Sequence, residues 1–162
     1  MTLNARSEGV RRRLLRPWNF RLYLWARLPL AAAAGLSLRR LDETGCTVAL
    51  PGGWRTQNPF RSMYFAAQAM AAEMSTGAPA MMLAEGALAS VSMLVREVRG
   101  VFTRRIQGEA EFTFDDLAGM RETVDRAVAS GESESFVARS VGRNRDGGAA
   151  SEFEITWSFK RR

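Results

Sequence analysis

Residues 63–74 form a stretch that is apolar on every side. The stretch is rich in Ala and Met, which favour helices, and only Gln68 and Glu73 carry fully polar side chains. A helix without a polar face belongs inside a protein rather than on its surface. We therefore predict a buried central helix over residues 63–74, ended by a break at residues 77–79, Gly-Ala-Pro.

Alternating apolar and polar residues predict strands on both sides of this helix. Short alternating runs flank residues 42–45, Asp-Glu-Thr-Gly, and predict a hairpin before the helix. Residues 80–89 fit either a helical tail or a strand, whereas residues 90–106 predict one long, bent strand with a bulge at Gly100. Further strands are predicted at residues 110–114, 135–143 and 151–160.

A second helix is predicted after residue 114, and it has one apolar face. Asp115 or Asp116 would cap its start, and Gly131 would end it. Its apolar stripe consists of Leu117, Met120, Val124, Ala127 and Val128. This one-sided pattern is typical of a helix that covers an edge or a face of a sheet and does not line a site.

Residues 11–28 predict a further, N-terminal helix in two segments. Pro17 suits the first turn of the second segment, and Pro29 ends the pattern. Residues 1–10 are polar, and we expect them to fray.

One face of this N-terminal helix carries Trp18, Leu22 and Trp25 close to several arginines. Aromatic residues beside arginines are typical of helices that make peripheral contact with a membrane surface. The alternative is a helix that packs on the outside of the domain or against a second subunit. We favour the alternative, because Arg21 and Arg27 do not form a clean polar face.

The predicted elements follow in the order helix, hairpin, buried helix, strands, covering helix and hairpin. This order lacks the strand–helix–strand alternation of parallel sheets. It predicts an α+β fold in which an antiparallel sheet wraps around a central apolar helix, with an extra N-terminal helix and a covering helix. With 162 residues, 46% of them apolar, the chain is expected to form one domain, with a helical extension over residues 1–35 and a core over residues 36–162.

The absence of histidine excludes several kinds of site. The chain has no His and a single cysteine, Cys46. It therefore lacks the usual zinc and copper ligand sets and the Ser-His-Asp and Cys-His catalytic groups. A lone cysteine also favours a reducing compartment, so we expect a cytoplasmic protein without a metal site. An enzyme with this composition has to use carboxylate, hydroxyl and backbone groups.

The positive charge is concentrated near the N-terminus. Residues 1–40 contain nine Arg and one acidic residue, Glu8, whereas residues 41–162 contain fourteen basic and sixteen acidic residues. The basic segment matches no recognition module for nucleic acid, and its aromatic residues fit helix packing better than base stacking, so we expect no nucleic-acid partner.

Glu73 is the candidate catalytic residue, because a carboxylate in a buried helix is costly unless it has a partner or a task. The alternative is a buried Glu that pairs with an Arg across a subunit interface. It follows Ala66 by seven residues, close to two helical turns, so both lie on one face of the helix. The start of a helix offers free N–H donors, here around Phe65 and Ala66. A carboxylate that handles water and N–H groups that polarise a carbonyl are the minimum needed to hydrolyse an ester or a thioester.

Asn58, Tyr64 and Glu73 also carry a resemblance to a known family. Hotdog-fold acyl-CoA thioesterases of the phenylacetate-pathway type have an Asn, six residues later a His followed by two Gly, and nine residues further an Asp or Glu. The chain has the same spacing, with Tyr64 in place of the His and Phe65 and Ala66 in place of the Gly pair. The wording S-M-Y-F-A-A-Q-A-M-A-A-E resembles most closely an uncharacterised, thioesterase-like branch of that superfamily.

The resemblance implies a hotdog fold and a function. It implies hydrolysis of acyl-CoA or acyl-carrier thioesters, with Glu73 as base or nucleophile and no cofactor other than the coenzyme A that the substrate carries. Hotdog relatives pair the edges of their sheets, which implies a homodimer or a homotetramer.

Further candidate residues lie outside the helix. Asn58 could donate to Glu73 or to the attacking water, or cap the loop before Pro59, and Tyr64 could supply a hydroxyl or only pack. Substrate contacts are predicted for Ser90 and Ser92, which lie near the position where related enzymes carry a hydroxyl, and for Arg104 and Arg105, which could hold the phosphates of coenzyme A.

A second hypothesis is a protein without catalytic activity. Tyr64, Phe65 and Ala66 stand where the related enzymes have His-Gly-Gly. The chain would then be a hotdog protein that binds acyl-CoA or lipid, with its basic N-terminal helix on a membrane surface.

Overall fold

The structure, a computed structural model, describes residues 3–162. The first part of the chain folds as helices α1 (Ala5–Leu15), α2 (Pro17–Arg27) and α3 (Pro29–Ala34). Pro17 and Pro29 each stand in the first turn of a helix, where a backbone N–H would have no helical partner, so its absence costs nothing. The prediction of a helical segment divided at Pro17 and ended at Pro29 is confirmed, except that Pro29 also begins α3.

The prediction that residues 1–10 fray is wrong from Asn4 onward. Asn4 caps α1, because its Oδ1 accepts a hydrogen bond of 2.8 Å from the Ser7 backbone N–H. Its Nδ2 donates to the Gly86 carbonyl at 3.0 Å and so attaches α1 to the central helix. Met1 and Thr2 lie outside the described residues.

Within residues 3–162 six strands form one antiparallel sheet. The strands are β1 (Ser37–Leu41), β2 (Cys46–Leu50), β3 (Val91–Phe102), β4 (Ala110–Phe114), β5 (Glu134–Asn144) and β6 (Ala149–Arg161). Their spatial order is β1-β2-β4-β5-β6-β3, so β1 and β3 are the edge strands. The predicted strands are confirmed, with boundaries that differ by a few residues.

The central helix α4 (Phe65–Gly86) is almost twice as long as predicted. It contacts five of the described strands and forms the centre of the core. The predicted break at residues 77–79 is wrong, because α4 continues through Pro79, and residues 80–89 are mainly a helical tail. Pro79 removes one helical hydrogen bond, but Ala78, Pro79 and Ala80 are all buried, and their packing offsets that cost.

Strand β3 contains a register shift, but not at the predicted position. The irregularity lies between Val95 and Glu97, whereas Gly100 pairs in register with Phe153. A Cβ at Gly100 would stand 2.9 Å from the Phe153 ring. Glycine is therefore required there by a close aromatic contact and not by a bulge.

Helix α5 (Leu117–Ser130) covers β5 and β6, as predicted. Asp116 is the cap, because its Oδ1 accepts a hydrogen bond of 3.0 Å from the Gly119 N–H. Gly131 ends the helix with a φ of 76°, in the left-handed region that favours glycine. Leu117, Met120, Val124 and Ala127 are buried.

An antiparallel sheet wrapped around one long helix is the hotdog fold that the sequence predicts. The two edges of the sheet differ. Helices α1 and α2 pack beside β1, whereas the outer edge of β3 is open in this chain. Leu94, Val98 and Val101 of β3 are 66%, 49% and 48% exposed, so this edge presents apolar side chains as well as unpaired backbone groups.

Candidate active site

Glu73 lies in the third turn of α4, on the wall of a cavity of about 230 Å³, here called the Glu73 cavity. The cavity lies between α4, strands β3 and β6, and the N-terminal helices. Its other lining residues are apolar apart from Tyr23, and they are Leu14, Phe20, Tyr23, Leu28, Met74, Gly77, Ala78, Met81, Met93 and Trp157. Because α4 is apolar on every side, the single carboxylate in its first three turns lies among hydrocarbon groups.

The Glu73 carboxylate is half-buried, and no hydrogen bond or ion pair joins it to another residue of the described chain. Burial raises the pKa of the Glu73 carboxyl above its ordinary value of 4.5. A carboxylate with a raised pKa is a stronger base towards water, and its unused acceptor sites leave room for a water molecule or a substrate. Glu73 therefore has the properties expected of a general base.

Gly77 leaves space beside this carboxylate. A Cβ at Gly77 would stand 2.9 Å from Glu73 Oε1 and 3.3 Å from the Trp157 ring. The indole of Trp157 is held in place, because its Nε1 donates a hydrogen bond of 2.9 Å to Thr76 Oγ1. The glycine and the fixed indole together keep one wall of the cavity open next to Glu73.

Tyr23 lines the candidate site beside Glu73, although the sequence did not single it out. It comes from α2, lines the Glu73 cavity and donates a hydrogen bond of 3.5 Å to Met81 Sδ. Burial raises the pKa of the Tyr23 hydroxyl, and the negative charges of Glu85 and Glu73 raise it further. Tyr23 is the only hydroxyl-bearing residue between Ser7 and Ser37, which is the one signal in the sequence that could have singled it out.

A second depression surrounds the start of α4, with a volume of about 550 Å³, and is here called the helix-start groove. It brings together five of the predicted site residues, which are Asn58, Tyr64, Phe65, Arg104 and Arg105. No side chain caps the start of α4, so its first backbone N–H groups remain without helical partners. Donors of this kind can polarise a carbonyl.

Gln68 is another groove residue to which the sequence analysis gave no role. Its Nε2 donates to the Met63 carbonyl at 3.1 Å, whereas its Oε1 is buried and has no partner within the described chain. A buried acceptor without a donor is uncommon and indicates that water or a ligand group satisfies it. The signal in the sequence was present, because Gln68 is one of two fully polar residues in the apolar run.

Asn58 organises the loop before α4. Its Oδ1 accepts from the Phe60 N–H at 3.0 Å and from the N–H and the hydroxyl of Ser62 at 3.2 Å each. This is the loop-capping role weighed above. The structure does not bring Asn58 to the Glu73 cavity of the same chain.

Tyr64 and Phe65 form an exposed aromatic cluster at the start of the helix. Their ring centroids are 4.9 Å apart, and Phe65 lies 6.4 Å from Phe102, both in edge-to-face geometry. Arg104 and Arg105 are exposed beside this cluster, and Arg104 pairs with Asp146 at 3.4 Å. The groove therefore combines aromatic surface with two guanidinium groups.

Ser90 and Ser92 lie far from the helix-start groove. They stand at the beginning of β3, whereas Arg104 and Arg105 follow its end, which over an extended strand is a separation of about 35 Å. Ser92 donates to the Lys160 carbonyl at 3.1 Å and, by strand alternation, faces away from the cavity residue Met93. Their predicted contact with substrate remains a prediction.

The helix start and Glu73 are also separate within one chain. Ala66 and Glu73 share a face, but seven residues of helix span about 10 Å. A donor and a base that act on one carbonyl group must lie within about 3 Å of adjacent atoms. The two halves of the predicted catalytic apparatus therefore occupy different depressions of this chain.

Neither a metal centre nor a membrane span is found in the described part of the chain. Residues 3–162 contain no group of three or more Cys, Asp and Glu residues placed to hold a metal ion. Within the same residues no helix combines the length and the apolar character needed to cross a bilayer.

No protein-family model and no curated protein matches the sequence. Among solved structures, a protein of unknown function from Chlorobaculum tepidum has a TM-score of 0.76 at 12% identity and covers 91% of this chain and 98% of its own. A probable thioesterase from Pseudomonas aeruginosa has a TM-score of 0.72 at 19% identity, over 90% and 97%. A thioesterase from Haemophilus influenzae has a TM-score of 0.62 at 12% identity, over 86% and 88%. The chain is thus a hotdog-fold protein that shares its architecture with thioesterases of known structure.

Proposed function

We propose that this protein hydrolyses acyl thioesters, with acyl-CoA as the substrate. The observation that carries the proposal is the Glu73 carboxylate, which is half-buried, unpartnered within the described chain and set in the wall of an apolar cavity. The alternative role of Glu73 is an ion pair with an arginine across a subunit interface, because structural ion pairs also bury carboxylates. Within the described chain no cation lines the cavity beside Glu73. Here the polar neighbour in the cavity is the Tyr23 hydroxyl.

Glu73 would remove a proton from water, or attack the thioester carbonyl directly. In the first route the water oxygen bonds to the carbonyl carbon, the C–S bond breaks, and the proton passes from Glu73 to the leaving thiolate. In the second route Glu73 displaces the thiolate and forms an anhydride, which water then hydrolyses. In both routes the N–H groups of Phe65 and Ala66 would stabilise the negative charge on the carbonyl oxygen.

This chemistry requires two subunits, because about 10 Å separates the helix start from Glu73 in one chain. The open edge of β3 offers 12 residues for pairing with a second copy. A two-fold axis beside β3 would continue the sheet and set the two α4 helices antiparallel. The helix start of one subunit would then approach the partner's Glu73. We therefore propose a homodimer with two shared sites.

The sizes and linings of the two depressions support a proposal for the substrate class. The Glu73 cavity, at about 230 Å³, exceeds the ~150 Å³ that holds one benzene ring, so it suits a short acyl chain or a single aromatic ring. The helix-start groove, with Arg104, Arg105 and exposed aromatic rings, suits the phosphates and the adenine of coenzyme A.

The buried free thiol of Cys46 fits a reducing, cytoplasmic environment.

A thiol-release assay over a panel of acyl-CoA substrates tests the proposal. Glu73→Gln keeps the shape of the side chain but can act neither as base nor as nucleophile, so turnover should fall by roughly a hundredfold or more with the fold intact. The matched control is Glu85→Gln on the same helix, because Glu85 is exposed and pairs with Arg13 at 2.9 Å. Its turnover should stay within about twofold of the parent.

Two outcomes would overturn the proposal. Activity that survives Glu73→Gln removes Glu73 from the mechanism. A parent protein that cleaves no thioester, yet melts at a higher temperature with acyl-CoA, is a binding protein.

A further inference from the structure

Helices α2 and α3 expose four large apolar side chains, here called the aromatic face. It consists of Trp18, Leu22 and Trp25, which are 81%, 71% and 58% exposed, and Leu30, which is 77% exposed. The first three follow the spacing i, i+4, i+7 and so lie on one side of α2. A monomeric protein rarely leaves several large apolar side chains together in water without a use for them.

The orientation of this face is fixed by the other side of α2. Phe20 and Leu24 are 3% and 1% exposed and pack into the core, so the helix cannot rotate to bury its tryptophans. The N-terminal segment thus packs on the domain, as the alternative favoured above predicts. It also presents the aromatic face outward.

Three arginines lie beside the aromatic face, in a groove that Trp25 also lines. The Arg21 guanidinium lies 5.9 Å from the centre of the Trp18 ring. Arg21, Arg39 and Arg55 line a groove of about 420 Å³ between α2, α3 and β1. The rest of its lining is apolar apart from Ser37 and the backbone at Gly35, and it contains no acidic residue.

The charges around this groove are largely uncompensated. Arg21 and Arg55 have no ion pair within residues 3–162, and Arg39 has one at 3.4 Å, to the exposed Glu109. No acidic residue occurs between Glu8 and Asp42. Three guanidinium groups above an apolar floor match the phosphate and the glycerol of an anionic phospholipid.

We propose that the aromatic face docks on an anionic membrane surface, with a lipid phosphate in the groove of Arg21, Arg39 and Arg55. Tryptophan rings favour the boundary between headgroups and acyl chains, and an apolar helix face enters that boundary by about 5–10 Å. This contact is independent of the proposed hydrolysis and does not require its loss.

A second copy of the chain is a poorer occupant. A two-fold interface places the same surface on both partners, so the arginines of one copy would face those of the other. Like charges in contact oppose association. The anionic lipid surface instead complements the charge of the face.

Co-sedimentation with vesicles tests the proposal. The parent should bind vesicles that contain phosphatidylglycerol much more strongly than vesicles of phosphatidylcholine alone, and salt should weaken the binding. Leu22→Ser should weaken it by roughly tenfold, because a large apolar side chain no longer enters the lipid. The matched control is Leu88→Ser, since Leu88 is 93% exposed and lies outside the face. It should bind like the parent.

A second pair of variants tests the groove that Arg21, Arg39 and Arg55 line. Arg21→Gln/Arg55→Gln should weaken binding by about twenty-fivefold, or about fivefold for each arginine. Arg145→Gln/Arg162→Gln removes the same charge at two exposed arginines elsewhere on the surface, neither of which has an ion pair in the described chain, and should have less than about a twofold effect. Millimolar inorganic phosphate at constant ionic strength should not release the protein, because a free ion makes no contact with the aromatic face.

Three results would overturn the proposal. The first is the absence of binding to either kind of vesicle, and the second is equal loss of binding in the variants and their controls. The third is a smaller particle mass for Trp18→Ser/Trp25→Ser in light scattering without vesicles, which would assign the face to a second copy of the chain.

Discussion

The two depressions along α4 differ in the chemistry that they hold. The helix-start groove is open and carries free N–H donors, aromatic rings, Arg104 and Arg105, but no carboxylate among its lining residues. The Glu73 cavity is smaller and mainly apolar, and it holds the carboxylate but no free backbone donor. Backbone N–H donors can remain exposed to water, whereas the pKa of a carboxylate, and with it its strength as a base, rises where water is excluded. A site made from both therefore has to join two environments that one chain keeps about 10 Å apart.

After Glu73→Gln, the largest loss of turnover is expected from removing a backbone N–H donor at the start of α4. Phe65→Pro removes the first N–H of α4, and the backbone accepts proline there because Phe65 opens the helix and Tyr64 is extended. Loss of one donor to the developing oxyanion should lower turnover by roughly a hundredfold. Phe65→Ala is the control, because it removes the ring and keeps the N–H. Equal turnover in the two variants would exclude this N–H from the reaction.

The next effect comes from closing the cavity. In Gly77→Ala the new methyl group would stand 2.9 Å from Glu73 Oε1 and 3.3 Å from Trp157. We expect kcat/KM for the largest accepted acyl group to fall by about tenfold, and that for acetyl-CoA to change much less, because one carbon in an apolar pocket has an effect of this size. An equal change for all acyl lengths would mean that the acyl group lies elsewhere.

The raised pKa of Glu73 predicts the pH dependence of activity. The base acts when ionised, so kcat/KM should rise with pH through a pKa that lies above 4.5. Tyr23→Phe keeps the ring and should change turnover only severalfold, but it removes a polar neighbour of the carboxylate and should move this limb of the profile to higher pH. An unchanged profile would leave Tyr23 a packing residue.

The smallest effect concerns stability. The pKa of Glu73 is raised in the folded state, so the ionised carboxylate destabilises the fold once the pH exceeds 4.5, the ordinary value. Glu73→Gln removes this cost and should raise the melting temperature by a few degrees at pH 7. The difference should vanish below pH 4.5, where the carboxyl is protonated in both states. A lower melting temperature at pH 7 would mean that the carboxylate has a stabilising partner.

The fold could be predicted from the sequence because apolar residues recur along each helix and strand with a clear spacing. The run at residues 63–74 has no polar face, and the stripe of α5 has only one. The end of α4 could not be predicted, because Gly77 and Pro79 are local helix breakers and only the surrounding core shows that their conformation is stabilised. Local preference gives way to burial at this point.

The candidate site was predictable only in part. Glu73 is a carboxylate within an apolar run, and the linear sequence is enough to identify it. Tyr23 does not, because α2 and α4 meet only after the chain folds. The spacing of Ala66 and Glu73 gives their shared face and also the distance of about 10 Å between them along the helix axis. It does not reveal that the helix start and Glu73 line different depressions, because the walls of both come from other elements.

The most direct test of the shared site mixes two inactive variants. Glu73→Gln chains keep the helix-start donors, and Phe65→Pro chains keep Glu73. If each site takes its donors from one subunit and its carboxylate from the other, half of the dimers after random mixing are heterodimers with one intact site of two. We predict recovery of about a quarter of the parent turnover, while each variant alone stays inactive. Heterodimers that form, as measured by native mass spectrometry, yet regain no activity would contradict a site shared between subunits.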